Sequence, residues 1–232
     1  MDLQKAKKKV LFVGLNKTGT KSLHAAMVSL GYRSCHIAPY QFHDAMIAAM
    51  KQKYPLLHYL EEWDTLQDIW LHSGIEAKYY ENSYFWSFSF KKTVLKKLIC
   101  DYPDMLFVNN VRPLDPWLSS RKRHIAHNQR RQTRVGAIVD PWLHFDDDAC
   151  RREYREHQGA VAEAFLNHRY RLLTLDATQK GAFNRLRHFL DGEATFIPDF
   201  ELPHIACPYH PKAEWRAFDK RRPLSISAHI DR

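Results

Sequence analysis

What the 232-residue chain lacks narrows the field before any motif is read. No apolar run approaches the roughly twenty residues that a membrane-spanning helix needs. The basic opening MDLQKAKKKV leads directly into a strand-like segment, which makes it a poor signal peptide. Cys35, Cys100, Cys150 and Cys207 are widely spaced and form no CxxC pair, so reduced thiols in a cytoplasm are the simplest account. Fourteen histidines fall in no HExxH or paired Cys/His pattern, and no metal is expected. There is no internal repeat, low-complexity linker, zinc-finger or RRM signature. The expectation is therefore one domain over residues 1–232, with 1–8 a basic lead and 208–232 a basic tail that includes Lys220-Arg221-Arg222.

What is present describes a folded protein with an anionic partner. An apolar content of 45% with 13% aromatics supplies one substantial core, or a core with a lid. The formal charge of +9 calls for an anion without naming it. Its densest run, Arg121 to Arg134 (RKRHIAHNQRRQTR), suits a nucleotide donor, an anionic acceptor, a nucleic acid or a solvated helix face equally well.

The chain is organised around Lys9 to Leu30, KVLFVGLNKTGTKSLHAAMVSL. Val10 to Val13 form an apolar run suited to a strand buried on both faces. Gly14 to Gly19 then turn sharply, and Leu23, Met27 and Leu30 fall on one face of a following helix. Strand, glycine-bounded loop and helix are the parts of a phosphate cradle, in which backbone amides and the positive end of the helix dipole meet an anion. Lys17 adds charge, and Thr18, Thr20 and Ser22 add hydroxyls. The order GxxxxGTKS departs from the ATP-type GxxxxGK[ST] by one residue, which makes Lys17 rather than Lys21 the invading lysine.

This arrangement resembles the 5′-phosphosulfate loop of the sulfotransferases, which use 3′-phosphoadenosine 5′-phosphosulfate (PAPS) and commonly carry PK[ST]GTT. Asn16 stands where that family usually has Pro, and Lys21 where it has the second Thr. A second resemblance lies at Val111 to Ser120. There Arg112 ends a strand and Ser120 follows eight residues later, as in the family's 3′-phosphate motif, within surroundings like the RDPxxWxxS of a bacterial branch. Pro113 replaces that branch's Asp. Asp115 suits an N-cap and Pro116 the first position of a helix, and the planar fork of Arg112 suits phosphate.

Elsewhere the pattern alternates. Arg33 to Ile37 reads as a short strand, Pro39 to Gly74 as a helical insertion with DTLQDIWLHSG among its clearest pieces, and Glu76 to Phe90 as an aromatic segment that could line an acceptor pocket. Lys91 to Tyr102 reads as a helix, Met105 to Val111 as a buried strand, Asp148 to Asn167 as a helix, Tyr170 to Asp176 as a strand and Phe183 to Leu190 as a helix. The order from Tyr170 through the Pro203-His204 tail is similar to the C-terminal third of the same bacterial branch. The sum is a three-layer α/β fold with a central, mainly parallel sheet, a P-loop of sulfotransferase type and a helical insertion over the acceptor side. Lys17, His36 and Arg112 each lie just past a strand, where such sheets gather ligands.

The resemblance implies sulfuryl transfer from PAPS to a hydroxyl or amine of a small-molecule or glycan acceptor, leaving 3′-phosphoadenosine 5′-phosphate (PAP), with no metal and no nucleic acid required. Asn16, Lys17, Thr18, Gly19, Thr20, Lys21 and Ser22 would hold the 5′ side, and Arg112 and Ser120 the 3′-phosphate. Lys17 would stabilise the leaving nucleotide, while His36 or Glu81 would serve as general base. Other readings stay open. A P-loop kinase using ATP and magnesium would want a lysine directly after Gly19 and an acidic residue ending a neighbouring strand; Thr20 takes the first place, and the Met105–Val111 strand ends in Arg112. A nucleic-acid-binding module leaves the glycine loop unexplained. A chain that binds the nucleotide without turnover is the third. Acceptor identity and oligomeric state are not written in the residues.

Overall fold

The computed structural model of the chain describes residues 7–36, 45–46, 48–68, 92–134 and 146–192. Within them lies one five-stranded sheet of β1 (Val10–Phe12), β2 (Ser34–His36), β3 (Thr65–Gln67), β4 (Leu106–Asn110) and β5 (Leu172–Leu175). Its spatial order is β2-β3-β1-β4-β5, and every pairing is parallel. The helices are α1 (Thr20–Ser29), α2 (Lys92–Asp101), α3 (Leu114–Arg134), α4 (Asp147–Ala164) and α5 (Ala182–Asp191).

Side chains of successive strand residues point to opposite faces, and β1 shows why its apolar run is unbroken. Val10 and Phe12 pack with Leu23, Ala26 and Met27 of α1 and with Phe183 and Leu186 of α5. Leu11 and Val13 pack on the other side with Leu95 and Leu98 of α2, Val161 of α4 and Phe165. Helices thus cover both faces, giving the three-layer α/β architecture with a parallel centre. Arg171 fastens the α2 layer to the sheet. Its buried guanidinium donates to the carbonyls of Ile99, Tyr102 and Met105, which the end of α2 and the turn into β4 leave without helical partners.

One expectation is corrected. Within DTLQDIWLHSG, read as helical, Thr65 to Gln67 form β3, which sits between β2 and β1. The apolar pattern hid it, because two of its three fully buried residues are polar. Thr65 Oγ1 and Gln67 Nε2 both donate to Ser34 Oγ on β2, at 2.7 and 3.3 Å, so burial leaves these donors satisfied. A smaller shift concerns α3, which begins at Leu114; Asp115 therefore lies in its first turn, where a carboxylate favours the dipole, rather than at the cap.

The candidate anion site

From β1 the chain goes to β2 and β3 on one side and later crosses to β4 on the other. The carboxyl ends of β1 and β4 therefore flank the point where strand order reverses, where open α/β sheets bind ligands. The Gly14–Gly19 loop leaves β1 there, and the Arg112 segment leaves β4 beside it.

The two segments are joined by side chains. Asn110, the last residue of β4, accepts from the Gly14 N–H at 3.0 Å through its Oδ1. Its Nδ2 donates to Thr18 Oγ1, and Thr18 in turn donates to the Leu15 carbonyl. Trp117 of α3, fully buried, donates from Nε1 to the Asn16 carbonyl at 2.8 Å. Tyr154 of α4 donates to the carbonyl of Arg112 at 2.8 Å, fixing the strand exit from behind. Lys17 holds φ 64 and Gly19 φ 92, so two of the loop's residues adopt the left-handed backbone. For a lysine this is uncommon and marks a shape imposed by its surroundings.

Gly14 is required by contact rather than by dihedral. A Cβ there would lie 2.0 Å from the Asn110 carbonyl oxygen and 2.5 Å from its side-chain Cγ. Gly14→Ala should therefore cost about 3 kcal/mol, the upper part of the range for forced overpacking, and detach the loop from β4. Urea unfolding checks the stability. A variant as stable as the parent would show that the loop sits elsewhere.

The sequence-derived residues fall as follows. Asn16, Thr18 and Thr20 are buried, Lys17, Gly19 and Ser22 half-buried, and Lys21 exposed. The hydroxyl proton of Thr18 is engaged inside the loop, on the Leu15 carbonyl. Arg112 and Ser120 are half-buried, the first at the tip of the strand adjoining β1 and the second on α3 one turn beyond Trp117. Glu81, the rest of the Glu76–Phe90 segment, Pro203-His204 and Lys220-Arg221-Arg222 lie outside the described residues. Arg121, read with the basic run, is no solvated residue: it is 4% exposed and pairs with Glu153 of α4 at 2.7 Å.

His36, at the tip of β2, is buried with Nε2 3.0 Å from Thr20 Oγ1 and 3.7 Å from Asp68 Oδ2. Burial first, then His24, Lys21 and Lys17, push its pKa down to about 3. It is therefore neutral at neutral pH. His124, on α3 one turn past Ser120, is pushed down to about 4 by burial, Lys17, His127, Lys21 and Arg121. Two histidines from opposite sides of the loop thus both feel the charges of Lys17 and Lys21.

Sequence reasoning missed Asn110, Asp68 and His24. Asp68 follows directly from the unrecognised β3, so the strand beside β1 on that side does end in a carboxylate. His24 Nδ1 lies 2.9 Å from Ser34 Oγ. Because Ser34 already accepts from Thr65 and Gln67, its own proton goes to His24 Nδ1, which places the His24 proton on Nε2. The signal that could have flagged Asn110 is the polar Asn109-Asn110 pair that interrupts the apolar run from Met105 to Val111.

No helix among the described residues is long and apolar enough to cross a membrane. Comparison with curated proteins finds no match to the chain. A family model described as a sulfotransferase domain matches residues 9–207, a span that takes in the loop, all five strands and the Arg112 segment. With that match over most of its length, the chain belongs to the sulfotransferase domain family and so to the sulfuryl-transferring enzymes.

Proposed function

We propose that the chain transfers a sulfuryl group from PAPS to a hydroxyl or amine of a small-molecule or glycan acceptor, releasing PAP. The observation that carries this reading is the joining of two cationic segments at adjacent strand tips, through Asn110 to Gly14 and Trp117 to Asn16. A nucleotide with phosphates at both ends of its ribose presents two anions to two such segments.

The donor set fits that ligand. The loop amides, the N-terminus of α1 and the side chains of Lys17, Thr20, Lys21 and Ser22 face the 5′ phosphosulfate, with Asn16, Thr18 and Gly19 shaping the loop. Arg112 and Ser120 hold the 3′-phosphate. The acceptor oxygen or nitrogen attacks sulfur, the bond from sulfur to the bridging oxygen breaks, and the electron pair leaves on the 5′-phosphate of PAP. Lys17 neutralises that charge as it develops. The acceptor's proton passes to a base, for which His36 and Glu81 are the candidates. A histidine held at a pKa of about 3 is a weak proton acceptor. Bound phosphosulfate would offset the Lys17 and Lys21 contributions and raise it.

A thermal-shift comparison of PAP, ADP and ATP with magnesium tests the assignment. At about a hundredfold excess over Kd, PAP should stabilise the fold by about 2.7 kcal/mol, a rise of several degrees in Tm. ADP, lacking the 3′-phosphate, should raise it less. A larger shift with ATP and magnesium than with PAP would overturn the donor assignment in favour of a kinase.

A further inference from the structure

Three elements bring Thr20, His36 and Asp68 together beneath the loop. Thr20 is the first residue of α1, His36 the last of β2, and Asp68 the residue after β3. Asp68 holds φ 51, a left-handed conformation that a non-glycine residue rarely adopts. Its Oδ2 and the Thr20 hydroxyl oxygen approach the same imidazole nitrogen, His36 Nε2, at 3.7 and 3.0 Å.

That shared nitrogen has a consequence. If Nε2 carried a lone pair, it would face the Asp68 carboxylate across 3.7 Å with two negative dipole ends opposed. It would also take the proton of Thr20, and Thr20 could donate nothing further. If Nε2 carries the proton, the carboxylate attracts it, Thr20 accepts from the imidazole, and the Thr20 O–H is released to point elsewhere. Thr20 stands at the N-terminus of α1, so that proton is directed to whatever anion the loop holds. The neutral state of His36 makes the choice between the two nitrogens real, since a doubly protonated ring would have none to make.

We propose that Asp68 is a positioning residue of the donor pocket: it keeps the proton of His36 on Nε2, so that Thr20 presents its own hydroxyl proton to the bound 5′-phosphosulfate. The proposal rests on the sulfuryl-donor reading given above. It also inverts simple electrostatics. Removing a carboxylate near an anion site should by charge alone tighten anion binding, whereas removal of Asp68 should weaken it.

Isothermal titration of PAP into the full-length chain provides the test. Thr20→Val should weaken PAP binding about tenfold, the loss of one hydrogen bond to a charged group. Asp68→Asn should weaken it to a similar degree, and the double variant should be no worse than either alone, because both changes remove the same bond. His36→Gln, which can offer an amide N–H to Thr20, should lose less than His36→Ala. Additive losses, or tighter binding by Asp68→Asn, would overturn the proposal. Where a variant fails to fold, the imidazole ¹⁵N shifts of the unmutated protein decide: a His36 proton on Nδ1 sinks the inference. A parent chain that shows no affinity for PAP sinks the donor reading itself, and this proposal with it.

Discussion

Lys17→Ala is expected to lower sulfuryl-transfer turnover by at least about two orders of magnitude, the scale of one electrostatic donor removed from a transition state. The expectation follows from where the lysine sits. The loop holds its backbone at φ 64, beyond the end of β1 and next to the N-terminus of α1, so its ammonium group starts from a fixed anchor. Negative charge builds on the leaving phosphate only as the sulfur–oxygen bond stretches. A cation beside the bridging oxygen therefore acts more strongly on the transition state than on the bound donor, and the loss should fall on kcat more than on donor KM. Lys17→Arg should rescue little, because a planar fork does not reproduce a compact point charge in a half-buried loop. Steady-state kinetics with PAPS measures both. Unchanged turnover in Lys17→Ala would remove the residue from the mechanism.

Acid should destabilise the fold early, well above the range in which carboxylates protonate. His36 and His157 are both nearly inaccessible, and burial is the largest cause holding them down, to about 3 and about 4 against an ordinary 6.5. Between those values and 6.5 the unfolded chain binds protons that the folded chain does not, so stability rises with pH across that window and is lost as pH falls through it. At a limiting slope of about 1.4 kcal/mol per pH unit for each group, which tapers near either pKa, the two together should remove about 5 kcal/mol between pH 6.5 and pH 4. Urea midpoints at pH 7, 5.5 and 4 report the slope, and His157→Leu should flatten it by roughly a third, since His36 and His124 still titrate. A midpoint that stays constant to pH 4 would mean that neither ring is buried in its neutral form.

The legible parts of the chain were those whose signal is local. The apolar run Val10 to Val13, the glycine-bounded loop and the amphipathic spacing of α1 are all contained within Lys9 to Leu30, and the structure has strand, loop and helix there. The alternation of helices with apolar strands likewise gave the parallel α/β sheet. β3 was hidden because its identity comes from its neighbours: Thr65 and Gln67 are tolerated in a buried strand only because Ser34, thirty-one residues earlier than Thr65, can accept from both. Asp68 was hidden with it. The roles of Asn110 and Trp117 were equally out of reach, since their partners in the loop lie about a hundred positions away. Arg121 shows the same limit in reverse: a run of basic residues reads as a face for solvent or an anionic partner until Glu153 on α4 is placed against it.

The indole of Trp117, clamped between loop and helix, has one more implication. Because the Gly14–Gly19 turn is pinned at two places, to the end of β4 through Asn110 and to α3 through Trp117, the span between the two proposed anion grips would be set by covalent and hydrogen-bonded scaffolding instead of by the guest. If PAPS is the donor, such a joint would work as a caliper, sorting nucleotides by how far apart their charged groups stand more than by total charge.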